Sequence, residues 1–336
     1  MTFGKMIKIA VPAFLGGATV SLAQPEQREE PLTLELPLAC QFGQTCFIQQ
    51  YFDHDAGPGA KDYRCGPMTY DAHDGVDLRV PNMVEQQKGV DVLAAAAGVV
   101  RGVREGVEDV SVRIAGLASV KGRECGNGVV IAHADGWETQ YCHMAKGSVR
   151  VKTGQAVTAG AVLGRVGISG EAEFPHLHLS VRHNTEKIDP FAPDTKAGAC
   201  GGGQPLWSKA AAIALTYRSP DMLNAGFASA PVTMEDVESG RVAADTPAAD
   251  SANLIAYVRP IGLKDGDVQI MTLRGPTGIL ARSERAPLDG NKAQFLLFVG
   301  KKRTTETWPR GNYEALYEVK RQGVTALIRR FNFDLR

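Results

Sequence analysis

Three short runs limit most strongly how this chain can fold: AHDGVDLR (72–79), YCHM (141–144) and FPHLHLSV (174–181). Four of the seven histidines, His73, His143, His176 and His178, fall in these runs, together with Asp77. In an extended strand alternate side chains share a face, so His176 and His178 point one way while Leu177 and Leu179 point into the opposite layer. Two imidazoles on one face of an apolar strand are costly to bury unless hydrogen-bonded or bound to metal. Gly75 permits a tight loop that sets His73 and Asp77 around one ion, and a carboxylate with two imidazoles suits Zn2+. His143 lies two residues after Tyr141, which predicts that the two share a strand face with Cys142 on the other. Each signal alone is equally what a solvated loop, a surface pair or a satisfied core histidine gives. Together, in order and on or beside β-prone runs, they are the donor inventory of a hydrolytic metal centre.

Composition excludes little else. Lys plus Arg and Asp plus Glu are each 37 of 336 residues, with no dense basic run, so nothing marks a nucleic-acid binder. Residues 1–23 read as an export signal: Lys5 and Lys8, an apolar stretch from Ile9 to Val20, then Ser21-Leu22-Ala23. That stretch contains Pro12 and is shorter than the roughly 20 residues a membrane span needs. The alternative is an ordinary N-terminal helix. Removing the signal takes two lysines and no acid, which moves the formal charge from zero to −2. Gln24 follows the expected cut, so no lipid anchor is expected there, and no other run approaches a membrane span. Six cysteines in an exported chain favour disulfides. Cys125 and Cys142 flank an apparent hairpin, GVVIAHADGWETQY, and are the expected pair. Closing a loop of that size contributes about 3 kcal/mol.

Residues 24–39 are acidic and Pro-containing, an extended lead-in. From 40 to 195 short β-prone runs alternate with Gly; the candidate strands are 92–94, 99–103, 110–114, 128–133, 139–144, 162–166 and 176–182, with Asp135-Gly136 as a hairpin turn. Residues 81–89 read as a loop or short helix. A Gly-rich linker at 196–205 precedes a second domain, 206–336. That domain opens on a short helix (206–216) and continues with strands at 253–258, 268–273, 279–283, 293–299, 314–319 and 324–333, the spacing of a β-sandwich of the immunoglobulin-like kind. No histidine or cysteine follows Cys200, so this domain has no metal chemistry of its own and reads as a binding or packing module.

HDGVD, AAAAGVV, CGNGVVIAHADGWETQYCHM, VKTGQAVTAGAVLGRVGISG and PHLHLSV together resemble the lysostaphin-type, LytM-like zinc endopeptidases, over residues 40–195. The resemblance implies a mainly β fold, an antiparallel sheet groove with the metal on its floor. It implies one Zn2+ per chain held by His73, Asp77 and His178, with His143 and His176 as the catalytic imidazoles that do not bind metal. It implies peptidoglycan peptide stems as substrate. The chain departs from the family pattern in an insert, VPNMVEQQKGVD, after Asp77, and in a longer stretch, 104–124, before Cys125. Both are expected on loops near the groove.

Three protein ligands leave one zinc position for a water, whose pKa falls to about 7 on binding. One of His143 and His176 would stabilise the oxyanion and the other would orient or deprotonate the water, in unassigned order. The expected protein is therefore a periplasmic crosslink endopeptidase. The alternative is a catalytically silent factor that binds peptidoglycan or activates a cell-wall amidase; residues 206–336 are a candidate surface for a cell-wall protein partner. A hydrolase of secreted proteins would share the same residues. His133 is expected to be structural or exposed, and His54 and His183 to be solvated.

Overall fold

The alternation of HLHLSVRH over 176–183 makes a strand whose apolar side chains must find a core, and the sheet is built around it. The computed structural model describes residues 1–2 and 32–336. Residues 3–23 of the expected export signal and 24–31 of the expected lead-in lie outside the described residues. Among those described, no helix is long and apolar enough to cross a membrane.

In chain order the first part contains β1 (Phe47–Gln50), β2 (Val76–Arg79), α1 (Met83–Lys88), β3 (Asp91–Leu93), β4 (Gly98–Arg104), α2 (Val112–Ala115), β5 (Asn127–Ala132), β6 (Trp137–Met144), β7 (Ala156–Val157), β8 (Val162–Arg165), β9 (His176–His183) and β10 (Glu186–Ile188). Seven of these strands line up as β1-β2-β9-β6-β5-β4-β7, with β10 paired to β9, and β3 and β8 form a separate ribbon. Every pairing is antiparallel. Val76 and Leu78 of β2, Leu177, Leu179 and Val181 of β9, Tyr141 of β6, and Val129 and Ile131 of β5 bury one face against Val92 of β3 and Leu163 of β8. The other face carries the polar residues. At the turn between β5 and β6, Asp135 and Gly136 both take positive φ (53° and 78°), the left-handed pair that closes a tight hairpin, as expected for Asp-Gly.

The second part contains α3 (Lys209–Ala214), β11 (Asp221–Ala228), α4 (Met234–Ser239), β12 (Asn253–Leu263), β13 (Val268–Gly275), β14 (Gly278–Glu284), β15 (Lys292–Gln294), β16 (Leu297–Lys302), β17 (Gly311–Arg321) and β18 (Val324–Leu335). One antiparallel sheet joins β11, β12, β15 and β16; the other runs β14-β13-β17-β18. Leu254, Val258, Met271, Leu273, Leu297, Tyr313, Tyr317 and Leu327 fill the layer between them, so this part is a β-sandwich.

Several local expectations need correction. The run 110–114 is not a strand: Ser111 accepts a hydrogen bond from the Arg113 N–H (3.3 Å) and a single helical turn, α2, ends at Gly116. The side-chain cap and the lack of a neighbouring strand outweigh the β-branched pattern. Within 81–89 the short helix is realised as Met83–Lys88, capped by the Asn82 side chain on the Glu85 N–H. HDGVD is not wholly loop, because Val76 and Asp77 open β2. Strands β1, β2, β7, β10 and β11 and helix α4 were not expected. The opening of the second part packs on the first core: Leu206, Trp207, Ala211 and Leu215 are buried with Tyr51, Leu78 and Phe191. The Gly-rich run is tied back by Cys65–Cys200. The other bridges are Cys40–Cys46 and the expected Cys125–Cys142.

Leu177 is 0% exposed and sits between His176 and His178 of β9. Leu177→Ala is expected to destabilise the fold by about 2–5 kcal/mol, read from the chemical-denaturation midpoint of the oxidised protein. A loss below about 1 kcal/mol would contradict the packing described.

Candidate metal centre and groove

β2 pairs with β9 so that Asp77 stands opposite His178 and Arg79 opposite His176. Because Val76 and Leu78 face the core, Asp77 and Arg79 lie on the opposite face of the sheet, Asp77 among the histidines and Arg79 buried beside them. His73 precedes the strand, and its Nδ1–H donates to the Tyr51 carbonyl (2.6 Å), which leaves Nε2 as the bare nitrogen. His178 uses its ring the other way round: Nε2–H is shared between Ser180 Oγ (2.9 Å) and Asp74 Oδ1 (3.2 Å), which leaves Nδ1 inward. The three inward atoms form a small triangle. His73 Nε2 lies 3.2 Å from Asp77 Oδ1 and 3.2 Å from His178 Nδ1, and His178 Nδ1 lies 2.9 Å from Asp77 Oδ1. Tetrahedral zinc at its usual bond lengths holds neighbouring ligand atoms about 3.3 Å apart. Three lone pairs converging at that spacing in a buried site repel one another unless a cation stands among them, so the residues present fit a metal of this kind.

A proton is the other cation that can stand there. Burial disfavours charge on His178, but hydrogen bonds to Asp74 and Asp77 outweigh it and push its pKa up to about 9. Burial likewise opposes ionisation of Asp77, yet the surrounding imidazoles, His73 and His176 first, hold its carboxyl well below the usual carboxylate range. Asp74 is held far down by its hydrogen bond to His178, with Lys187 as a second partner.

The two remaining histidines are of another kind. His143 Nδ1–H donates to the Ser169 carbonyl and His176 Nδ1–H to the Phe174 carbonyl, each at 2.8 Å. Their rings lie 4.6 Å apart, and the His176 Nε2 is 3.5 Å from Asp77 Oδ1. Burial lowers the pKa of both, and in His143 the neighbouring His176 and His178 lower it further. A carbonyl can only accept, so each neutral ring carries its proton on Nδ1 and presents a bare Nε2.

The expectation that His143 shares the face of Tyr141 fails. Tyr141 lies in the core, with its hydroxyl accepting from the Ala95 N–H (2.7 Å), and Cys142 lies on the groove side, opposite His178. Simple alternation would send His143 into the core. Instead it adopts φ 63°, a left-handed conformation uncommon for a residue with a side chain, and turns back into the groove. The β5–β6 register shifts at this point, the His143 N–H donates to the Cys125 carbonyl (2.8 Å), and the Cys125–Cys142 bridge tethers the preceding residue.

All five predicted site residues are thus drawn together. The groove beside them, about 470 Å³, is lined by His143 and His178 and also by Tyr70, Arg104, Glu124, Glu171 and Arg182, none of which the sequence reading singled out. Arg182 was within reach of it, since 176, 178, 180 and 182 alternate onto one face of β9. Arg104 and Glu124 bound the second insert, and nothing local marks them. The first insert is elsewhere: α1 lies against α4 of the second part, where a Cβ on Gly240 would come within 2.6 Å of Val84. The other histidines stand apart from the site. His133 bridges Ala97 and Thr139, as a structural histidine does. His54 is not solvated but buried, 2.7 Å from Asp189 Oδ2, and His183 is half-buried against Trp137.

Residues 71–190 match the family profile described as Peptidase family M23. Over 181 residues the chain is 30% identical to the DD-carboxypeptidase/endopeptidase Mpg of Neisseria meningitidis, a match covering 51% of this chain and 34% of that protein. It is 32% identical over 125 residues to the cell division protein DipM of Caulobacter vibrioides, covering 37% of this chain and 17% of that one. Among solved structures, the catalytic domain of the prophage-encoded M23 protein EnpA from Enterococcus faecalis is 27% identical, covers 44% of this chain and 90% of its own, and superposes with a TM-score of 0.29. The chain spans about a third of the length of the first curated relatives it matches.

Two outcomes follow from this geometry. A metal held by this triangle would compete with a proton for His178 Nδ1. Metal affinity is therefore expected to rise about tenfold per pH unit through neutrality and to level off near pH 9, where the proton is lost unaided. Chelator competition over pH 6–10 measures this, and a flat profile contradicts it. Replacing Cys125 and Cys142 together by Ser is expected to cost about 3 kcal/mol of stability and to reduce turnover while metal content stays unchanged. Metal loss in step with turnover would show that the bridge does not act on His143.

Proposed function

We propose that this chain, whose residues 71–190 match the profile of Peptidase family M23, is an exported, zinc-dependent endopeptidase that hydrolyses peptide crosslinks of peptidoglycan. The observation that carries the reading is the pairing of two kinds of histidine in one groove: His73 and His178 aim bare nitrogens at Asp77 Oδ1, while His143 and His176 present bare, neutral Nε2 atoms beside them. The named activity of the Neisseria relative supports the substrate class. Three disulfides support an oxidising compartment, and the signal-like residues 1–23 support export.

Zinc held by His73, Asp77 and His178 would supply a water with a pKa near 7 and polarise the peptide carbonyl. The chain's own residues do the proton work. With Nδ1 fixed on a carbonyl, a neutral His143 or His176 accepts a proton at Nε2 as general base. Only then, as imidazolium, can that ring donate, to the developing oxyanion or to the leaving amine. Their lowered pKa values keep both rings in the accepting state at neutral pH.

The test is the mass spectrum of crosslinked muropeptides after digestion, with a chelator control and with metal counted per chain. His178→Ala is expected to lose the metal and with it all cleavage. His143→Ala is expected to keep the metal and lose turnover by about 10²-fold or more. Full cleavage by metal-free His178→Ala would defeat the assignment, and a metal-free, inert wild type would favour the silent-factor alternative.

A further inference from the structure

A buried ion cluster joins the β-sandwich to the strand that carries Asp77. Arg79, two residues after Asp77 and on the same face of β2, is 0% exposed, as is Arg259 of β12. Glu238 of α4 lies between them: Arg79 Nη2 donates to both of its carboxylate oxygens (2.8 and 3.0 Å) and Arg259 Nη1 to one of them (2.6 Å). Arg79 also donates to Gln49 Oε1 (2.5 Å). Burial opposes the charge on Glu238, but the two guanidiniums hold its carboxyl below the usual range. Glu238 is the one acid hydrogen-bonded to either arginine among the described residues, so removing it leaves two buried cations without a carboxylate, a costly state.

The cluster reaches the groove through one ring. The Arg79 guanidinium stacks over Phe174, 4.3 Å from the ring centre. The Phe174 carbonyl is the acceptor that fixes His176 Nδ1–H, and the Phe174 and His176 rings lie 4.7 Å apart. The register repeats the link, because Arg79 is the residue opposite His176 on the ladder. The first insert is part of the joint: Arg259 also donates to the Pro81 carbonyl, and Gly240, at the C-terminal end of α4, packs on Val84 of α1.

We propose that Glu238 is a positioning residue for His176, acting through Arg79 and Phe174, so that the β-sandwich is a working part of the peptidase site and not only an appended module. This rests on the endopeptidase reading. It also makes a claim about the His176 ring that can be read without turnover.

The test uses the full chain with zinc counted per chain, a crosslinked muropeptide dimer as substrate, and the NMR resonance of the His176 Nδ1 proton. Glu238→Gln keeps shape and removes charge. It is expected to lower kcat about 10- to 100-fold, leave KM within about twofold, keep one zinc per chain, and shift or broaden the His176 Nδ1 proton. Phe174→Leu, which keeps the carbonyl and removes the stacked ring, is expected to lower kcat similarly. The double variant should be no worse than the poorer single, since both act on one link. Wild-type turnover and an unmoved His176 resonance in a folded Glu238→Gln protein would overturn the proposal, as would effects that multiply in the double variant. If Glu238→Gln does not fold, Glu238→Asp, with the charge kept one methylene shorter, is read in the same way. An inert wild type would defeat the endopeptidase reading, and the His176 resonance would still decide the positioning.

Discussion

Asp77 and His178 stand opposite one another on the β2–β9 ladder, and a slip of one residue in that register would bury Asp77 and Arg79 in the core while turning Val76 and Leu78 into the groove. What prevents the slip lies on the far face. Val76, Leu78, Leu177 and Leu179 are each 0% exposed, and a buried side chain of this size contributes about 1.5–3 kcal/mol. Four of them outweigh any preference of the polar face for a different alignment. The apolar layer therefore fixes the electrostatics, and the ligand triangle is a by-product of which residues alternate with the valines and leucines.

Within that frame the hydrogen-bond partner decides what each buried histidine does. His178 leans on carboxylates and is driven towards the charged form; His143 and His176 lean on carbonyls, and burial drives them towards the neutral form. Identical side chains a few ångströms apart thus divide into a cation-holding type and a proton-accepting type. A carbonyl orients a ring and supports its charge too weakly to offset burial, whereas the carboxylates beside His178 do offset it.

The parts of this design that were legible in the sequence are those with local causes. The alternation of HLHL, the Asp-Gly turn and the cysteines flanking the hairpin each follow from neighbours within one element. β2 was not legible, because four residues beside Gly75 read as a continuation of the loop. Nor was the turn at His143, since strand periodicity predicts the opposite face and only the register shift against β5 corrects it. His54 read as solvated because its partner, Asp189, is 135 residues away. Residues 206–216 were recognisable as a helix, but an amphipathic turn does not say which of two cores it covers, and it covers the first.

The second departure from the family pattern packs on one short loop, and the first bears on the same loop only indirectly, through Arg79. Residues 169–174 supply both carbonyls that orient the two neutral imidazoles, Ser169 for His143 and Phe174 for His176. The second insert grips this loop from one side. The Val112 N–H donates to the Ala172 carbonyl, Arg113 pairs with Glu173, and Gly170 approaches Glu124 so closely that a Cβ there would lie 2.3 Å from its carbonyl oxygen. From the other side Arg79, held by Glu238 and the first insert's neighbours, presses on Phe174. The metal-site histidines are oriented by Tyr51, Asp74 and Ser180, which lie outside the loop. Change in the second insert therefore bears first on the loop that orients His143 and His176, and only through it on His73, Asp77 and His178. Under the endopeptidase reading, such a layout would let proton transfer be tuned from residues 104–124 through contacts separate from those that orient His73 and His178.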